Sequence, residues 1–255
     1  NPPLIPSLVY VENAENASVT VGQTVRDRAL DLTTDPRFFR NIKRGIGTSV
    51  QGFIPELDGQ NLSFEQVGSY FLHQVIGALK AQEPELNSLV FTVPVDSFEA
   101  YRIWLSEVCE SLNIEQVQLI DEPTAAALGY QLSPEQRTVL VIDFGGGTLD
   151  LSLIQQAASA IEKPRGLRLQ WGTKAREQKP ANQARVKTVK VIAKAGENLG
   201  GADIDRWLAD YFELEQGLPK TAVTLRLVEK LKIALSSSAE ATEAYFDEDT
   251  LDRKS

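Results

Sequence analysis

Residues 141–150, VIDFGGGTLD, decide how this chain is read. A β-branched apolar run ends in the carboxylate of Asp143. Gly145, Gly146 and Gly147 follow, then the hydroxyl of Thr148, then a second carboxylate, Asp150, in a new alternating run. Two strands joined by three glycines point to something that must come close to the backbone. Glycine takes positive φ freely and has no Cβ to hold a ligand away. Successive turn amides form a concavity that suits phosphate. Carboxylates on both sides suit a hydrated magnesium ion. Alone, the stretch reads either as a nucleoside-triphosphate cradle on a β-hairpin or as a loose hairpin turn with unrelated flanking acids.

The chain around it has 255 residues, enough for one large or two ordinary α/β domains. With 42% hydrophobic and 24% charged residues it has the composition of a globular protein. No apolar run approaches the roughly 18 residues that span a membrane. The opening NPPLIPSLVY has neither a basic start nor a cleavage site of the secretory kind. A single cysteine, Cys109, excludes an internal disulfide and fits a reducing compartment, so a cytoplasmic location is expected. With one histidine, His73, it also argues against a zinc site or a Ser-His-Asp triad. A chain that starts at Asn1 and holds no methionine is expected to be a fragment or a processed product.

The net charge of −9 is uneven. Residues 162–194 hold ten Lys/Arg against two Glu, so that segment is +8 and the remainder −17. An acidic body argues against general nucleic-acid binding. The basic stretch reads as a solvated insertion, with contact to an acidic partner as the other possibility.

Along the chain, 8–11 and 18–21 read as strands, and Asp35-Pro36 as the start of a short helix reaching Lys43. Ser63 and Gln66 form a capping box before a helix whose stripe is Phe64, Val67, Phe71, Val75 and Ala78. His73 falls near the opposite, solvent-facing side. Residues 89–95 form a near-continuous apolar strand, as in a sheet covered on both faces. An amphipathic helix through Phe98, Tyr101, Leu105, Val108 and Leu112 and a strand at 117–120 complete a parallel crossover. Asp121-Glu122-Pro123-Thr124 opens a further helix. The polar stretch 132–137 marks a domain boundary. Beyond the basic segment come a strand at 186–193 and a glycine turn at 196–201. Helix stripes follow through Ile204, Trp207, Leu208 and Tyr211, and through Leu225, Val228, Leu231 and Leu235.

Five ordered stretches resemble the DnaK-type, seventy-kilodalton heat-shock chaperones: FTVPVDSFEAYR (91–102), LIDEPTAAALGY (119–130), VIDFGGGTLDLSLI (141–154), GENLGGADIDRWLADYF (196–212) and LVEKLKIALSSS (227–238). IPSLVYV (5–11) and DPRFFRNIKR (35–44) fit the same pattern. The resemblance implies an α/β protein of the actin-like ATPase (ribonuclease H-like) fold, with two lobes around a nucleotide cleft. Residues 1–136 would form lobe I and 137–255 lobe II, with a basic insertion at about 162–188. It further implies ATP or ADP and Mg2+ as ligands, and co-chaperones and unfolded client proteins as partners. Neither nucleic acid nor membrane is implied as a partner.

Carried over by matched position, Gly145, Gly146, Gly147 and Thr148 would donate to the β- and γ-phosphates. Asp143 would bind the magnesium shell, Asp150 would orient water, and Glu122 would hold a magnesium-bound water. Lys43 would stabilise the transferring phosphoryl group. Pro94 and Arg102 would relay nucleotide state between lobes. Gly200 and Gly201 would lie at the cleft, and Glu229, Lys232 and Ser236 on the adenosine-facing helix. Each has a plainer reading beside this one. Lys43 sits in a Lys-Arg pair and reads as a surface lysine. Glu122 is a first-turn helix carboxylate, which the helix dipole favours anyway. Glu229 and Lys232, three apart, read as a solvated pair.

Some features depart from the family. The opening glycine hairpin expected before Pro2, the late adenosine-binding glycine motif and the peptide-binding domain are absent. The basic insertion has no counterpart, and Ala202 stands where an acid is usual. The expected function is therefore part of a chaperone's ATP-hydrolysing domain, incomplete at both ends and exposing a sheet edge. The alternatives are a catalytically inactive nucleotide-sensing or partner-binding scaffold and, further off, a sugar or acetate kinase of the same superfamily.

Overall fold

The computed structural model describes residues 4–48, 55–95, 97–129, 138–156, 167–170 and 189–241. It is a mixed α/β structure with several small sheets. Strands β1 (Val9–Asn13) and β2 (Ser18–Val21) pair antiparallel, and helix α1 (Gln23–Asp27) follows. Strand β3 (Phe38–Phe39) adds to the other side of β1. Where a helix from Asp35 to Lys43 is expected, the chain instead makes β3 and one 3-10 turn, Ile42–Arg44. The physical reason is local. Phe38 and Phe39 pair with β1, and Asn41 takes a left-handed φ of 56°, which interrupts any helix.

Strands β4 (Glu56–Leu57) and β5 (Gln60–Asn61) form a small hairpin. Helix α2 (Phe64–Gln82) begins at the predicted capping box. Ser63 Oγ accepts from the Gln66 N–H at 3.2 Å, and Gln66 Oε1 accepts from the Ser63 N–H at 2.7 Å. Its inner face is rotated from the expected stripe. Val67, Gly68 and Ile76 are buried and Ala78 is exposed. Gly68 lets the Trp104 ring lie against the helix; a Cβ there would come within 2.7 Å of it. His73, expected in solvent, is half-buried, its ring nitrogens 2.7 Å from Ser69 O and Ser111 Oγ.

Strand β6 (Ser88–Val93), helix α3 (Phe98–Ser111) and strand β7 (Gln116–Asp121) make the expected crossover, with β6 and β7 parallel. Tyr101, Trp104, Leu105, Val108 and Cys109 of α3 join Val9, Val67, Val93, Val117 and Leu119 in the main core. Strand β6 is not covered on both faces: Val90 is exposed.

Helix α4 (Glu122–Gly129) leads to an antiparallel meander of β8 (Thr138–Phe144), β9 (Leu149–Gln156) and, later, β11 (Val189–Glu197). Between the last two, β10 (Leu167–Gln170) crosses back and pairs with the free side of β7. Residues 167–170 of the basic insertion are thus a strand of the other sheet; 162–166 and 171–188, and the boundary at 132–137, lie outside the described residues. Helices α5 (Gly201–Gln216) and α6 (Ala222–Leu235) close the described chain. Trp207 and Tyr211, expected in the α5 stripe, are exposed, while Asp203 and Ala209 are buried. On α6 Val228 is buried, but Leu235 is exposed. Among the described residues no helix is long and apolar enough to cross a membrane.

Candidate functional site

The glycine turn sits at the end of the β8–β9 hairpin, and the ladder register places Asp143 directly opposite Asp150. Directly opposed residues share a face. That face also carries Ser152, opposite Val141, and α4 packs on this sheet. Asp150 is 3% exposed. Its Oδ2 and Ser152 Oγ are buried without a hydrogen-bond partner among the described residues.

The turn is held by its carbonyls. Gly145 O accepts from Gly201 N–H at 3.0 Å, Gly146 O from Ala202 N–H at 2.9 Å, and Gly147 O from Arg44 Nε at 2.6 Å. Gly145 N–H donates to Thr148 O at 2.9 Å. The N–H groups of Gly146, Gly147 and Thr148 have no acceptor among the described residues. Gly200 presses on this turn so closely that a Cβ there would lie 2.6 Å from Gly147 N and 2.7 Å from Gly146 C. Its own N–H goes to Asp203 Oδ2 at 2.8 Å. The Gly200 and Gly201 amides are therefore committed to protein acceptors.

Lys43 comes from the 3-10 turn. Ile42 is buried in the core, and Tyr101 Oη donates to Lys43 O at 3.0 Å. Gly45, just beyond, lies so close to Phe64 that a Cβ would come within 2.1 Å of its ring. Lys43 Nζ reaches Glu122 Oε1 at 2.5 Å. Glu122 opens α4, whose entry Asp121 caps by accepting from Thr124 N–H at 2.9 Å and Thr124 Oγ1 at 2.8 Å.

These elements enclose a cavity of about 440 Å³ lined by Lys43, Glu122, Asp143, Gly145, Gly146, Gly147 and Thr148, with Thr92, Ala125 and Ala126. A second cavity of about 280 Å³ shares Lys43 and Thr148 and adds Pro94 and Asp150. Small-molecule sites fall in roughly the 300–1,000 Å³ range. The structure thus brings nine of the sequence-derived residues together.

Gly200 and Gly201 back the turn from the protein side, and the other four lie apart. Arg102 pairs with Glu99 on its own helix at 2.7 Å. Glu229 pairs with Arg26 at 2.9 Å. Lys232 donates to Gly201 O at 2.8 Å and pairs with Asp205 at 2.7 Å, bracing α6 against α5. Burial pushes the Asp205 carboxyl up, against the pull of Lys232. Ser236 Oγ donates to Ile233 O at 2.6 Å in its own last turn.

The sequence reading missed Arg44 and Asp203. The Arg44 guanidinium donates to both Asp203 carboxylate oxygens while its Nε holds Gly147 O. Arg44 chiefly, then the Gly200 N–H and Arg206, hold the Asp203 carboxyl far below the usual range despite burial. The one signal was the Lys-Arg pair at 43–44, which draws attention to the lysine only.

The residues present fit a magnesium–nucleotide. Three amides and a buried carboxylate oxygen without partners among the described residues, with two directly opposed acids, all invite a bridging group. Among the described residues no cluster of three or more His, Cys, Asp or Glu could form a protein cage for a metal. Residues 48–162 match the family model described as Hsp70 protein. The match spans the glycine hairpin, Pro94, Arg102 and Glu122, and leaves Lys43 just ahead of it and Gly200 beyond it.

Proposed function

We propose, from the premise that residues 48–162 are Hsp70-family sequence, that this chain carries the phosphate-binding part of an ATP-hydrolysing, chaperone-type nucleotide-binding domain. The fold we infer is the actin-like ATPase fold, with residues 1–136 and 137–255 as its two lobes. The observation that carries the reading is the division of labour in the glycine turn. Its three glycine carbonyls are tied down on the protein, and three consecutive N–H groups at 146–148 have no acceptor among the described residues, beside a lysine and two acids.

Phosphoryl transfer needs positioning and charge neutralisation more than covalent chemistry. Gly146, Gly147 and Thr148 would donate to phosphate oxygens. Lys43 would leave Glu122 to neutralise the outer phosphate, freeing Glu122 and Asp143 to hold magnesium-bound water. Magnesium, held there through Glu122 and Asp143, would supply positive charge to neutralise the phosphates. Asp150, with an oxygen left over in the buried face, would orient a water for attack. ATP and ADP are the proposed ligands; co-chaperones, unfolded clients and a cytoplasmic setting follow from the family premise alone.

Magnesium-dependent ATP hydrolysis is the test. Lys43→Ala and Asp143→Ala are each expected to lower turnover at least a hundredfold, as loss of one charge-stabilising group does. Turnover unchanged in both variants contradicts the site.

A further inference from the structure

The Lys-Arg pair at 43–44 splits its work between two partners. Lys43 turns to Glu122, and Arg44 turns to the glycine hairpin and the start of α5. We infer that Arg44 is a positioning residue for the phosphate cradle: it fixes the Gly147 carbonyl and so aims the neighbouring amides. This rests on the cradle reading above.

The peptide plane is the reason. The Gly147 carbonyl and the Thr148 N–H belong to one rigid unit, so fixing the carbonyl fixes that amide. The preceding two peptide units are held in the same way, their carbonyls by Gly201 N–H and Ala202 N–H. Arg44 is thus the third anchor of a three-carbonyl set, and the one supplied by a side chain. A guanidinium suits the task because its planar fork can hold Asp203 while Nε–H serves the carbonyl. The fork is itself kept in place: Asp203 accepts from Gly200 N–H, and Gly200 touches the hairpin backbone. Arg44 Nη1 lies 3.2 Å from Asp203 Oδ1, and its side chain is 18% exposed, so water competes little for either bond. A Cβ at Gly147 would meet Arg44 Nε at 3.1 Å, so a larger residue there would have to push the guanidinium back by a few tenths of an ångström. The same turn of backbone that carries Lys43 therefore also sets the orientation of the opposing amides.

The test uses the full chain with Arg44→Lys, which keeps the charge and loses the fork, and Asp203→Asn, which weakens the ion pair and leaves the Nε bond to Gly147. Two quantities are read: Mg-ATP affinity by calorimetry, and hydrogen exchange of the Gly201 and Ala202 amides without ligand. Arg44→Lys is expected to weaken Mg-ATP binding about tenfold or more and to speed exchange at both amides by a similar factor, with the thermal melt still cooperative. Asp203→Asn is expected to change affinity less than threefold. Ethylguanidinium, but not ethylammonium, is expected to restore affinity to Arg44→Ala. Affinity and exchange both unchanged in Arg44→Lys overturn the positioning role and leave the cradle reading standing. Failure of the unsubstituted chain to bind Mg-ATP overturns the cradle reading and the positioning role with it.

Discussion

Gly200 and Arg44 together decide the shape of the glycine turn, one by having no side chain and the other by the reach of its own. At Gly200 a Cβ would sit 2.6 Å from backbone nitrogen, and backbone cannot swing aside as a side-chain end can. Gly200→Ala is therefore expected to destabilise the chain by about 1–3 kcal/mol, the range for overpacking a tight contact. Chemical denaturation measures this; a stability change below the error of the fit contradicts the contact. The glycines were legible in the sequence as a need for close approach. Composition and spacing point to a ligand at Gly145–147 but say nothing of Gly200 pressing from the protein side. Arg44 escaped notice because its partners, Gly147 and Asp203, are more than a hundred residues away in sequence, and no local pattern announces such a bond.

Local capping decides the elements where it is strong. The Ser63 capping box and α2 were read correctly from Ser-x-x-Gln because both partners lie within one turn. The helix expected from Asp35 failed because pairing with β1, a tertiary contact, overrode the Asp-Pro start. The α2 stripe was offset because the glycine at 68, silent in a hydrophobic count, admits the Trp104 ring. The region before that turn also carries a pH-sensitive brace. Arg37 donates to both Asp58 oxygens, at 2.9 and 2.5 Å, and the Ala14 N–H donates at 2.8 Å. Arg37 foremost, then Ala14, bring the Asp58 carboxyl down to about 2. A depressed carboxylate contributes stability that is complete above its unfolded pKa of about 3.9 and lost as pH falls through its folded value. Thermal melts between pH 4 and pH 2 are expected to fall more steeply in the unsubstituted chain than in Asp58→Asn. Parallel curves contradict the brace.

Across the whole molecule, guanidinium–carboxylate pairs join the early chain to the late chain: Arg26 with Glu229 and Arg226 with Asp31, both at 2.9 Å, and Arg44 with Asp203. None of this was legible from spacing, since each pair spans more than 150 residues. The sheet of β8, β9 and β11 is equally uneven. One face meets α4; the other leaves Leu140, Ile142 and Phe144 at 56%, 62% and 48% exposure. Such exposed apolar patches bind hydrophobic probes and associate. Ile142→Glu is expected to cut fluorescence of a bound anilinonaphthalene dye at least twofold and to raise the concentration at which the chain aggregates. Unchanged dye binding contradicts the exposure.

The central claim is that the amides of Gly146, Gly147 and Thr148 receive the phosphates of Mg-ATP. Amide nitrogen–proton NMR of the chain, titrated with Mg-ATP, tests it most directly. The account predicts that these three resonances shift together and saturate, that the shifts shrink when magnesium is withheld, and that surface amides of α5 stay in place. Three resonances unmoved at millimolar Mg-ATP would contradict it.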